Sequence, residues 1–426
     1  MAATATLCAQ EMKTHKVKKN ETIYGIAREN GITIQDLIAA NPGMEKPDYV
    51  LKKGKVINIP IVAATAVGDP NGDVRQRAIR LGVMLPLNNQ NGDGRRMIEY
   101  YRGVLMACDT LRKEGISIDI HAWNTPADAD ISTTLADPDA ARCDMIIGPL
   151  YSSQTSKLSD FVTQHNSLLV IPFSINAPEL YFNKNIFQVY QSPSDVTETT
   201  ARRFADWFKD SHPIIVDCSD AESTKGNFTS TLRRRLEMQG VAYSLTSLQS
   251  TEADFARSFT MAKQNVIVLN TSRISHLQSM FNRLEPLMQI NPGMKVSIFG
   301  YEEWMAAERQ QSANFHRFDM YIPAPFFTNI YSDITEDLQQ RYRRNFGTTM
   351  QDNFPRFAIT GYDQAVFFLR GLHKYGMKFD GAQGRLGYTP VQTPLKFERL
   401  GVGGYQNRAY LFVRYKTDHT IDLVNY

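Results

Sequence analysis

Residues 146–153, Ile146-Ile147-Gly148-Pro149-Leu150-Tyr151-Ser152-Ser153, decide how the chain is read. The apolar run Met145–Ile147 is too short for a helix and lacks polar alternation, so it reads as a strand buried on both faces of a parallel sheet. The same pattern recurs outward from it, at Ile79–Leu85, Ile116–Ile120, Leu168–Ile171, Ile214–Val216, Val266–Leu269 and Val296–Phe299. Between the first two runs, Met97, Tyr101, Val104, Cys108 and Leu111 follow helical spacing, and Gly115 supplies a stop. Strand alternating with helix over this length predicts an α/β fold class built as two doubly wound lobes.

Residues 15–60 have a different logic. A short strand, His15–Lys18, precedes Asn20-Glu21-Thr22. A first helix carries Ile23, Ile26 and Ala27 on one face and stops at Asn30-Gly31. A second opens at Thr33, paired with Asp36 as a cap, and buries Ile34, Leu37 and Ile38. Asn41-Pro42-Gly43 ends it, and Leu51, Gly54, Val56, Ile57 and Ile59-Pro60 close the unit with a second strand, giving a small βααβ unit. In so small a core nearly every apolar position has a packing duty.

The 426 residues carry 47 basic and 44 acidic side chains, a net charge of +3. The length calls for two or three domains. Residues 11–61 hold that whole excess; the remainder balances. A nucleic-acid binder needs a denser basic patch. No apolar run is long enough to cross a bilayer as a helix. Residues 1–10, MAATATLCAQ, resemble the end of a secretory leader, with cleavage expected after Ala9, a mature chain beginning at Gln10, and a periplasmic, wall-associated location. The charged and apolar parts of such a leader are expected upstream of Met1. Leu7 sits where lipidation of Cys8 would need a small residue. Cys108, Cys143 and Cys218 are widely spaced and odd in number, so no disulfide framework is implied. The expected organisation is residues 11–61 as module, 62–78 as linker, and 79–426 as the two-lobed domain. Lobe one would comprise about 79–190 and 323–378, and lobe two about 191–322 and 379–426.

Val17, Glu21-Thr22-Ile23, Ile26-Ala27, Gly31, Asn41-Pro42, Leu51, Gly54 and Ile59-Pro60 carry a resemblance to the LysM family. His15 stands where that family has Tyr, and Asn20 where it has Gly. The resemblance implies binding of peptidoglycan or another N-acetylglucosamine-containing glycan. The groove would be built by Asn20, Glu21, Thr22 and Ile23 on one side and by Lys46, Tyr49 and Leu51 on the other, with Tyr49 either stacking on a sugar face or packing under its loop.

From Ile79 on, the chain resembles the type I periplasmic binding proteins, which include the branched-chain amino-acid receptors. The carrying residues are Gly82–Leu87, Ile146–Ser153, Ile171-Pro172-Phe173-Ser174, Tyr190–Asp195, Gly361-Tyr362-Asp363-Gln364-Ala365, Phe379–Gly384 and Arg408–Tyr415. Ligands in open α/β sheets bind beyond the carboxyl ends of strands. That selects Leu87–Gly94, Leu150–Gln154 and Phe173–Asn176 in one lobe, and Asn270–Arg273 and Gly300–Glu303 in the other. The candidate cleft residues are Ser152, Ser153, Ser174 and Glu302. By resemblance Ser152 and its neighbouring amides would hold a ligand carboxylate, and Glu302 an ammonium. The opposing reading makes Ser152, Ser153 and Glu302 helix caps. Ile175 replaces a Thr contact of the receptors, and Asn270–Arg273 lacks their aromatic residue. The Gly148-Pro149-Leu150 motif is equally at home in the lipoprotein activators of peptidoglycan synthases, whose cleft holds no ligand.

No enzyme signature is present: no G-x-S-x-G, P-loop or Cys-x-x-Cys, and no His pair at metal-ligand spacing. No cofactor is expected. Asn91-Gly92-Asp93-Gly94 reads as a loop at the cleft mouth, and Arg233-Arg234-Arg235 as a solvated helix face. The expected role is a non-catalytic, wall-bound sensor or scaffold that takes a small amino-acid-like ligand or a protein in its cleft. The alternatives are a solute receptor feeding a transporter and an activator subunit of a peptidoglycan enzyme.

Overall fold

The computed structural model describes residues 12–19, 21–30, 32, 34–46, 49–61, 72–329, 332–382, 386 and 388–425. The expected cleavage site after Ala9, Asn20, the Thr33 cap and most of the expected linker lie outside them. Among the described residues no helix is long and apolar enough to cross a membrane.

The N-terminal module is βααβ. Strand β1 (Met12–Lys16) pairs antiparallel with β2 (Val56–Pro60), His15 facing Ile57. Helices α1 (Ile23–Glu29) and α2 (Ile34–Ala39) lie between them in sequence. Strand β1 runs Met12–Lys16 where His15–Lys18 was expected, and it ends earlier because the Lys18 amide turns aside to the Glu21 carboxylate at 2.6 Å. Val17, Ile23, Ile26, Leu37, Ile57 and Ile59 form a closed core, each nearly inaccessible. Asn41 ties α2 to β2 through its side chain. Its Nδ2 donates to the Leu37 and Asn58 carbonyls, at 2.7 and 2.6 Å, and its Oδ1 accepts from the Asn58 amide at 2.7 Å.

The rest of the chain makes two compact units. The first holds the module together with residues through Tyr190 and Phe327–Arg408; the second holds Gln191–Phe326 and Ala409–Tyr426. The sheet of the first unit runs 397–399, 405–407, 186–188, 168–171, 145–147, β3 (Ile79–Leu85), β4 (Ile118–Asn124), with β4 at an edge. All neighbours are parallel except 397–399 against 405–407. The sheet of the second unit runs 421–425, 411–415, 320–324, 296–299, 265–269, 212–217, 244–247, and its first two strands pair antiparallel.

Two boundaries differ from expectation. Residues 379–408 belong to the first unit, not the second. Phe397 packs edge-on against Phe187 at 5.3 Å and tilted against Phe368 at the same distance, which draws the strand 397–399 onto the first sheet. Fully burying such an aromatic side chain contributes roughly 2–3 kcal/mol. The chain also enters lobe one before Ile79. Val74 is 4 % exposed, and Arg77 grips Asp144 with two hydrogen bonds of 2.7 and 2.6 Å, so residues 72–78 are lobe rather than linker.

The Asn91–Gly94 segment is a helix start, not an open loop. The Asn91 side chain accepts from the Gly94 amide at 2.7 Å and caps α3 (Gly92–Lys113). Helix α3 crosses helix Phe357–Tyr375 at very short range. A Cβ on Gly103 would lie 1.8 Å from the Ala358 carbonyl oxygen, and one on Gly361 would lie 2.1 Å from that of Tyr100. Only glycine permits backbone contact this close. The 361–365 motif is therefore the interior of that helix, which begins at Phe357.

Candidate functional site

The expected glycan groove is the more fully built of the two candidate sites. Ile23 is buried in the module core, and Tyr49 and Leu51 pack against the same cluster, so the two loops are held side by side. Thr22 caps α1, its hydroxyl accepting from the Gly25 amide at 3.0 Å. Glu21 accepts from the Lys18 amide and from His15 Nε2 at 2.8 Å. These two bonds, the amide first, hold its carboxyl below the usual range. Thus His15 completes the loop as a hydrogen-bond partner of Glu21. Lys46 is exposed. Tyr49 is half-buried, its hydroxyl enclosed without a partner among the described residues, and Lys55 Nζ lies 4.7 Å from its ring centre. The Tyr49 ring packs on the module core while staying partly exposed.

Glu21→Ala removes two hydrogen bonds from this loop. The expected cost is about 1–2 kcal/mol of module stability. Amide exchange at Lys18 and along α1 should accelerate while the second unit keeps its protection. Unchanged protection at Lys18 would show that the carboxylate does not hold the loop.

The module is not isolated on its linker. Tyr24 of α1 meets Phe346 with ring centres 5.6 Å apart, and Arg344 donates to the Glu45 carbonyl at 3.0 Å. Phe346 also takes the Arg102 guanidinium over its face at 5.3 Å. Helix Asp333–Phe346 thereby carries the module against lobe one.

The expected cleft residues stand at strand ends. Ser152 and Ser153 follow strand 145–147, and Ser174 follows the neighbouring strand 168–171, so the three share one edge of the first sheet. Ser152 and Ser153 are exposed and neither caps a helix. Ser174 accepts from the Asn176 amide at 3.2 Å within its own turn. Ile175 beside it is 42 % exposed. Around this edge the structure adds Tyr151, whose hydroxyl donates to Asp93 at 3.2 Å, and Gln154, whose Nε2 donates to the Pro126 carbonyl at 3.0 Å.

Glu302 stands at the corresponding edge of the second sheet. It opens a 3₁₀ turn, Glu302–Ala307, without making a cap bond. Its Oε2 is buried with no partner among the described residues, and burial followed by the Glu303 charge raises its carboxyl above the usual range. The cap reading of Ser152, Ser153 and Glu302 is therefore replaced. The surrounding loops are closed by their own ion pairs. Lys225 meets Glu303 at 2.6 Å, and Asp220 accepts from Thr271 at 2.6 Å and pairs with Arg273 at 2.9 Å. The loops Asn270–Arg273 and Gly300–Glu303 were expected at this edge, but their pairing with Lys225 and Asp220 was not legible, because each pair joins two distant strand-end loops.

Cys108, Cys143 and Cys218 are all buried, and burial pushes each thiol up to about 12, so they stay protonated.

Residues 79–389 match the family model of the periplasmic binding protein, which is most of the chain. The chain belongs to the periplasmic binding protein family. Residues 15–60 match the LysM domain. No curated protein matches the sequence. Among solved structures, the periplasmic binding protein fold is shared with a Rhodospirillum rubrum protein described as a branched-chain amino acid ABC transporter, at 14% identity and a TM-score of 0.51. That alignment covers 82% of this chain and 100% of the other. Full-length LpoA from Haemophilus influenzae aligns at 15% identity and a TM-score of 0.50, over 82% of this chain and 59% of LpoA. Likeness at these identities concerns the fold. The coarse assignment is a LysM domain, a kind associated with peptidoglycan binding, joined to a two-lobed binding-protein fold.

Proposed function

We propose that this protein is a non-catalytic, wall-bound component of the periplasm. Its LysM domain holds the glycan, and its two-lobed domain serves as a sensor or scaffold. The observation that carries this reading is the seating of the module on lobe one through Tyr24, Phe346, Arg344 and the Glu45 carbonyl. A module merely tethering a free receptor needs only a linker; one packed into the lobe couples wall binding to the domain itself. The ion pairs Lys225–Glu303 and Asp220–Arg273 support it further, since they occupy charges that a polar ligand would otherwise meet.

The receptor reading is favoured by one feature, the partnerless buried oxygen of Glu302. A thermal-shift panel on the full chain separates the two. A ligand present at a hundred times its Kd stabilises by about 2.7 kcal/mol. We expect N-acetylglucosamine oligomers and muropeptides to raise the melting temperature and free leucine, isoleucine or glutamate to leave it unchanged. A rise of several degrees with an amino acid, lost in Glu302→Ala, would establish the receptor instead.

A further inference from the structure

The seam between module and lobe one is not fully closed. A crevice of about 490 Å³ lies between α1 and α2 of the module and α3 with the edge strand β4 of the lobe. Tyr24, Ile32 and Ile34 line one wall, and Tyr101, Asp109 and Trp123 the other. A second hollow of about 370 Å³ shares Tyr24 and Tyr101 with it and reaches Thr22, in the loop that forms the glycan groove. Both volumes fall in the range of small-ligand sites, roughly 300–1,000 Å³.

The chemistry of the crevice is specific. Asp109 is 5 % exposed, and its Oδ2 has no hydrogen-bond partner among the described residues. A buried carboxylate oxygen left unpaired costs stability, and its retention calls for a donor. The Trp123 indole is fixed by donation to Asp137 at 2.9 Å and by stacking on His121, with ring centres 5.9 Å apart. Strand β4 pairs only with β3, so its outer backbone groups face the crevice side unpaired by any described strand. Aromatic and apolar walls beside a carboxylate and free backbone groups are what an amino-sugar ring requires: apolar faces for its C–H bonds and N-acetyl methyl, acceptors for its hydroxyls and amide.

We propose that this crevice is a second glycan subsite, which takes the sugars of a strand leaving the LysM groove at Thr22, with Asp109 accepting from a sugar hydroxyl or amide. The two hollows share Tyr24, Tyr101, Leu105 and Ala122 in their walls, which places the subsite next to the Thr22 loop. The proposal rests on the LysM domain binding glycan. It makes lobe one a reader of the wall as well, and makes the module–lobe seam tighten when a long strand is bound.

Calorimetric titration of the full chain with N-acetylglucosamine trimer and hexamer tests it. In the wild type the hexamer should bind about tenfold more tightly than the trimer. Asp109→Asn, which is isosteric, should reduce hexamer affinity about tenfold through loss of a charge-assisted hydrogen bond, leaving the trimer unaffected. Ala122→Phe, which fills the crevice from β4, should do the same. Hexamer binding at wild-type strength in both variants overturns the subsite while leaving the LysM groove intact. Absence of binding by either oligomer to the wild type overturns the glycan reading itself, and this subsite with it.

Discussion

Asp363→Ala should lower the stability of the first unit by about 3–5 kcal/mol. Asp363 is 1 % exposed, on the helix that crosses α3. Its carboxylate accepts the backbone amides of Val391, Gln392 and Thr393 at 2.9, 2.8 and 2.7 Å. Truncation leaves three N–H groups, two of them buried, without this acceptor. The segment also carries Gln392, whose Oε1 accepts from Thr328 at 2.6 Å and whose Nε2 donates to Thr360 at 2.8 Å. Release of residues 391–393 therefore loosens the approach to strand 397–399 as well. Asp363→Asn retains one good acceptor and should cost less than half as much. Thermal melting with limited proteolysis checks both; a melting temperature unchanged in Asp363→Ala would show that the three amides find other partners.

The second large effect has the opposite sign. Burial raises the Asp109 carboxyl to about 6, against the pull of Arg112, Arg341, Lys113 and Arg344. Because the folded value lies above the unfolded one, the group's contribution to stability is complete below about pH 4. It is lost as pH rises through 6, where the buried carboxyl must ionise. Two units correspond to about 3 kcal/mol. Asp109→Asn should therefore stabilise the protein at pH 7.5 by about that amount and flatten the difference between melting curves at pH 4.5 and 7.5. A protein made more stable yet poorer at binding the hexamer cannot owe its loss to unfolding. If Asp109→Asn instead destabilises at neutral pH, the carboxylate has a structural partner.

Sequence and structure agree where burial alone sets the pattern. Ile79–Leu85, Met145–Ile147, Leu168–Ile171 and Val296–Phe299 are strands with those bounds, since a central parallel strand is buried on both faces and mostly apolar, with Arg80 and Ser297 the exceptions. Strands at or next to a sheet edge were harder to read. The strand predicted at Ile116–Ile120 runs Ile118–Asn124, because its outer residues are half-exposed and polar residues interrupt it. Strands 397–399 and 405–407 have three residues each, and Tyr405-Gln406-Asn407 carries no apolar run, so their lobe was assigned wrongly. The packing of Ile23 and the turn at Glu21 and Thr22 were legible because a small module leaves few alternatives, while their part in binding a glycan is implied by the LysM resemblance. The crevice was not, because Asp109 reads in sequence as one more polar residue beside an apolar stripe. Only folding brings it to Tyr24 and Ile34 of a module that precedes it by a linker.

The central claim, that this chain holds the wall through its LysM domain, is tested most directly by sedimentation of the full-length protein with purified peptidoglycan, with and without N-acetylglucosamine hexamer as competitor. We expect the protein to pellet with the wall and to return to the supernatant as the hexamer is raised. Protein that stays in the supernatant from the start, or that pellets regardless of the hexamer, would contradict it.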